Sequence, residues 1–217
     1  MGRMRVATVA LAALALVVAG CASTTDGHGT FARAAVSVQP PAPAVPHSAG
    51  LPGVLAARLM TPPAGSVPFN SAWARNHTPT VAQFTAWDYG PTDAARETAR
   101  LEAEGLARIA HETWVAPDSH QADMVLLQFN DPTGALSRFL GATTAEADAA
   151  GVRPFAVPSV AGALGYYHTA LDSVGNIRAV LYATVGDTVV EEFYFSPARL
   201  RPADAIAWLG EQVKLLR

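Results

Sequence analysis

The spacing of apolar residues changes several times along this chain, and each change predicts an element. Leu51, Val54, Leu55 and Leu59 form a short amphipathic segment that Thr61-Pro62-Pro63-Ala64-Gly65 ends. Thr78-Pro79, a hydroxyl followed by proline at the first helical position, opens a helix through Val81-Ala82-Gln83-Phe84. A second helix runs from Pro91-Thr92-Asp93 to about Glu104, with Ala95, Ala99, Ala103 and Leu106 on its inner side and Gly105 as its cap. Beyond Gly105 the period becomes two. Ile109, His111, Thr113 and Val115 alternate with Arg108, Ala110, Glu112 and Trp114, a turn follows at 116–121, and Ala122–Phe129 returns as the partner strand. In that pairing His111 is expected opposite Leu126, and Asp123 opposite Trp114.

Asp131-Pro132 caps a further helix, with Ala135, Leu136, Phe139 and Leu140 inward, stopped by Gly151 and Pro154. Three strands come next, Ala163–Leu171, Asn176–Val185 and Val189–Phe195, and a last helix over Pro202–Leu216 buries Ile206, Leu209, Val213 and Leu216. The alternation suggests a register for the final hairpin. A two-residue loop would set Ala183 against Val190 and mix polar with apolar residues on both faces. A three-residue loop, Gly186-Asp187-Thr188, gathers Ile177, Ala179, Leu181, Ala183 and Val185 with Val189, Phe193 and Phe195, and is the expected one. Helices, hairpin, helix, three-strand meander and helix together predict an α+β fold. Its expected form is a two-layer sandwich, an antiparallel sheet of about five strands with helices on one face.

The first 21 residues follow another logic. Arg3 and Arg5 precede Val6–Gly20, 15 uncharged residues of which only Thr8 is polar. That run is shorter than the ~20 residues a spanning helix needs and suits the apolar core of a signal peptide. It ends in Val18-Ala19-Gly20-Cys21, which resembles the lipobox of bacterial lipoproteins. The resemblance implies lipidation of the Cys21 sulfur and cleavage before it, giving a signal peptide over 1–20. Membrane attachment through acyl chains gains about 0.8 kcal/mol per buried CH₂, and durable anchoring takes two chains. Residues 22–50, with Pro40-Pro41-Ala42-Pro43-Ala44-Val45-Pro46, lack periodic apolar positions and read as a tether. A flexible chain of that length spans about 30 Å. Residues 51–217 remain as one globular domain. The order of its elements loosely resembles small actinobacterial envelope lipoproteins of unknown function.

Charge narrows the partners. Loss of Arg3 and Arg5 leaves 13 basic against 18 acidic residues, a net charge of −5 with no basic cluster, which argues against nucleic acid. Cys21 is the only cysteine, so no disulfide is available and stability must come from packing.

Catalytic signatures are sparse. The chain has no HExxH, CxxC or GxSxG pattern, and no glycine-rich phosphate loop follows a predicted strand. Its densest polar group is His111, Glu112, Asp118, His120 and Asp123, and His111, His120 and Asp123 are the residues a metal-assisted hydrolase would use. Glu191 is expected at an exposed hairpin tip, and His168 on the core side. With helices on one face only, Tyr167, Arg178, Tyr182, Glu192 and Tyr194 would share the open face of the meander. Tyrosines around an arginine there would make a ligand-binding surface. The expected function is a non-enzymatic, membrane-anchored envelope lipoprotein on the extracytoplasmic side. It would need no cofactor and would bind a small ligand or an envelope protein. The rival readings are the metal-assisted hydrolase and a passive assembly subunit.

Overall fold

The structure, a computed structural model, describes residues 54–197 and 199–217. Cys21, the signal peptide and the tether expected over 21–50 lie outside the described residues. No described helix is long and apolar enough to cross a membrane.

Seven strands, not five, make one antiparallel sheet: β1 (Val67–Pro68), β2 (Leu106–Val115), β3 (Gln121–Phe129), β4 (Val152–Phe155), β5 (Leu164–His168), β6 (Asn176–Val185) and β7 (Thr188–Pro197). Their spatial order is β1-β2-β3-β7-β6-β5-β4, so β3 and β7 meet in the middle and the two shortest strands form the edges. Among the described residues four helices accompany them, α1 (Val81–Asp88), α2 (Gly90–Ala103), α3 (Pro132–Asp148) and α4 (Pro202–Leu216). The α+β class expected from the sequence holds.

The layering differs from the expected sandwich. Successive residues of a strand point to opposite faces, and here both sets are buried. Met124, Leu126, Leu181, Val190 and Tyr194 pack in one apolar cluster with Leu209, Val213 and Leu216 of α4. Val125, Leu127, Val180, Val189 and Phe193 pack in a second with Phe84 of α1, Leu101 of α2 and Phe139 of α3. Helices therefore cover both faces, and the central strands carry near-continuous buried runs instead of the alternation that marks a half-exposed sheet.

Local chemistry sets the boundaries. Helix α1 starts two residues later than expected because Thr80 and Gln83 close a reciprocal capping box. Asp131 caps α3 through the amides of Thr133 and Gly134. The predicted segment near residues 51–60 is a single 3-10 turn, Ala56–Arg58, strapped to α4: Met60 N–H donates to Gln212 Oε1 (2.8 Å) and Gln212 Nε2 donates to the Arg58 carbonyl (2.8 Å).

Two helix faces were misread. In α2 the alanines at 95, 99 and 103 are exposed, and Glu97 and Leu101 are the buried residues. A stripe of alanine buries little area, so the one large apolar side chain orients the helix. In α3, Leu140 is 44% exposed and Arg138 is buried beside Ala135 and Phe139.

Both hairpins are offset by one residue from the expected pairing. His111 pairs with Val125, and Asp123 with Thr113. In the second hairpin Val185 pairs with Thr188 and Ala183 with Val190, the arrangement the alternation argument rejected. Its two-residue loop begins with Gly186 at φ +61°, the backbone a type II′ turn requires at that position. A one-residue slip moves every side chain to the other face, so the expected binding surface cannot survive it.

Candidate functional site

Polar groups inside the protein fall into three constellations, two on the α1–α3 face and one on the α4 face. The largest is built around Arg138, held at the sheet by the inner side of α3. Its guanidinium donates twice to Glu191 of β7, Nε to Oε1 at 2.7 Å and Nη2 to Oε2 at 2.9 Å. It also donates to the hydroxyl of Tyr89 and, at 3.3 Å, to Asp88 Oδ2. The rings of Phe84 and Tyr89 lie within 6 Å of the same cation, at 5.9 and 5.7 Å.

Burial alone would weaken Arg138 as a base, but the charge and hydrogen bonds of Glu191 outweigh it and hold the group protonated. Asp88 stands at the edge of this pair. Burial pushes its carboxyl up to about 6, against the opposing pull of Arg138. Tyr182, directly across from Glu191, is raised well above its ordinary range by burial and by that neighbouring carboxylate.

Nearer solvent on the same face lies a separate group around Arg178. This residue is half-buried, stacks its guanidinium 5.5 Å from the Phe193 ring, and lies 3.4 Å from Glu146 Oε1. His168, 3.5 Å from Arg178 and also half-buried, is lowered by burial and by the arginine. It is a rim residue, not a core one.

The second constellation is a stack. Trp87 and Trp73 lie face to face at 4.5 Å, and Trp73 covers His111 at 4.0 Å. Beneath them, His111 Nδ1 meets Asp123 Oδ1 at 3.0 Å while Nε2 meets the Asn76 carbonyl at 2.8 Å, and Trp73 Nε1 donates to Asp123 Oδ2 at 2.5 Å. Both ring nitrogens of His111 face acceptors. Neither nitrogen is therefore open to a metal.

The third constellation lies on the α4 face. Glu192 is 0% exposed with neither carboxylate oxygen hydrogen-bonded, and burial raises its carboxyl well above the usual range. Tyr194 is equally buried and its hydroxyl is unpartnered. Burial, then the carboxylates of Asp204 and Asp118, push that hydroxyl up. His120 stacks on the Tyr194 ring at 5.3 Å and points Nε2 to Ser196 Oγ at 3.0 Å. Among the described residues, Asp118, His120 and Asp204 bring possible metal-ligand atoms within 4.8 Å of one another.

These positions redistribute the residues expected from the sequence. Arg178 and Tyr182 belong to the α1–α3 face; Tyr167, Glu192 and Tyr194 belong to the α4 face. Tyr182, Glu192 and Tyr194 are buried, so the five do not form one open surface. Glu191, expected to be exposed, is buried and bidentate on Arg138. His111 and Asp123 do come together, but His120 is on the opposite face, so the expected metal triad is not assembled. Sequence reading missed Arg138 altogether. The available signal was its place between Ala135 and Phe139, on the same side of α3 as both.

No protein-family model matches the chain, and no curated protein matches it. Among solved structures, the extracellular domain of PknH from Mycobacterium tuberculosis is similar over 54% of this chain and 68% of its own, with 13% identity and a TM-score of 0.42. A likeness of that depth leaves function to be argued from the residues.

Proposed function

We propose that this chain is a lipid-anchored lipoprotein of the cell envelope whose domain, on the extracytoplasmic side, is a binding module and not a catalyst. The observation that carries the first half is Val18-Ala19-Gly20-Cys21 at the end of an uncharged 15-residue run, followed by a proline-rich tether. The state of the interior polar groups supports the second half. Arg138 and Glu191 saturate each other, and His111 is locked between Asp123 and the Asn76 carbonyl. Neither arrangement leaves a free base beside a nucleophile. The half-exposed cluster of Arg178 with His168 and Glu146 replaces the expected tyrosine surface as the recognition edge, because it presents a bidentate-capable cation to solvent.

Cys21→Ala tests the anchor. The variant should leave the membrane fraction or accumulate as uncleaved precursor, and its mass should lack acyl chains. Correctly processed, membrane-bound Cys21→Ala protein would refute the lipoprotein reading. Arg178→Ala tests the edge: cross-linking in intact envelopes should lose the partner or ligand adduct that the wild-type domain forms.

A further inference from the structure

Asp118 and His120 sit in the turn between β2 and β3, and Asp204 in the first turn of α4, three residues brought together by the packing of α4 on the sheet. Their hydrogen bonding decides what this corner can hold. Ser196 Oγ donates its one proton to the carbonyl of Arg199. It must therefore accept from His120 Nε2–H, at 3.0 Å. That pins Nε2 and turns Nδ1 toward Asp118, whose Oδ2 is 2.7 Å away.

The contact with His120 holds the Asp118 carboxyl below its usual range. His120 is 2% exposed, so water has little access to it. Asp204 adds a second carboxylate within 4.8 Å of both. Among the described residues the cation paired with them is Arg201, its Nη1 3.4 Å from Asp118 Oδ2, in a pair whose two side chains are about half exposed. Such a pair neutralises little. The Tyr194 hydroxyl, on the ring stacked against His120 and close to Ser196, adds one more oxygen at the same corner.

We infer that His120 Nδ1 and the carboxylates of Asp118 and Asp204 form a site for one divalent transition ion of the zinc type, with water completing its coordination. The donor set suits that class: one imidazole nitrogen and two carboxylates, with the second ring nitrogen anchored by a serine that is itself anchored to the backbone. The site shares only His120 with the triad expected from sequence. It also goes beyond the binding-module reading, and stands or falls separately from it.

Zinc sulfate added to the full chain in detergent is the probe, read by native mass spectrometry and by calorimetry. The wild type should take up one zinc per chain, and its melting temperature should rise with zinc and return with chelator. Asp118→Asn and Asp204→Asn should each weaken binding at least tenfold, and the double variant at least a hundredfold. These positions are partly exposed, so melting in chelator should stay within a few degrees of wild type, which separates lost binding from lost fold. His77→Ala is the control for adventitious uptake at the exposed His77–Glu112 pair and should bind as the wild type does. A wild-type chain without zinc uptake, or a double variant that binds as tightly as wild type, would overturn the site.

Discussion

Glu191 and Glu192 are neighbours on one strand, both 0% exposed, and they meet opposite fates. Glu191 faces α3 and receives two hydrogen bonds from Arg138, backed by Tyr89 and Asp88. Glu192 faces α4, where its carboxylate oxygens have no partner. One face of the sheet thus keeps its charges and compensates them. The other keeps an acid that is stable there only when neutral. The contrast teaches that burial alone does not define the role of an ionisable residue in this protein; the facing helix does.

The largest effect should come from breaking the compensated side. Arg138→Met leaves Glu191 buried and unpaired, and unfolding in urea should show a loss of about 3–5 kcal/mol. Adding Glu191→Leu should recover most of it, since a well-packed apolar pair costs less than a lone charge. Recovery by less than a quarter would mean the network does more than satisfy itself.

On the uncompensated side the sign reverses. Glu192→Gln should stabilise the protein at pH 7, because the folded wild type must hold a proton there that the unfolded chain releases. The contribution of protonated Glu192 is fully present below about pH 4.5, its ordinary value, and fades as pH rises. The variant should therefore match wild type near pH 4 and exceed it at pH 7. Equal stability at both values would show that Glu192 has found a partner.

The smallest shift belongs to Asp88, which lies between these extremes. Its carboxyl is raised from 3.8 to about 6, so its protonated form favours folding below pH 4 and that benefit is lost as pH passes 6. Asp88→Asn should flatten the stability profile across that window by at most about 3 kcal/mol, a figure in which the pull of Arg138 is already counted.

Much of the fold was legible because local chemistry wrote it. Asp131-Pro132 opens α3, Gly105 ends α2 at φ +85°, and the long strands and last helix fall close to their predicted spans. β1 and β4 were missed because two and four residues, each segment holding a proline, give no period to read. The register of β6 and β7 was misread for a deeper reason. Alternation reports a face only when one face is wet, and here α4 covers one side and α1–α3 the other. The same blindness hid the candidate sites. Arg138 looks like a surface arginine until its i−3 and i+1 neighbours are seen to be core. Asp204 is more than 80 residues from His120, and no spacing rule connects them.

The edges of the sheet carry a final implication. An unpaired strand invites a second molecule to hydrogen-bond to it, and proteins crowded on a surface meet one another's edges often. Here one edge is the exposed pair Val67-Pro68, and the other is Val152–Phe155 with Arg153 and Pro154. Both are too short to template a ladder, and each has a proline that cannot donate to one. Neither edge strand therefore offers a second molecule a long ladder to extend.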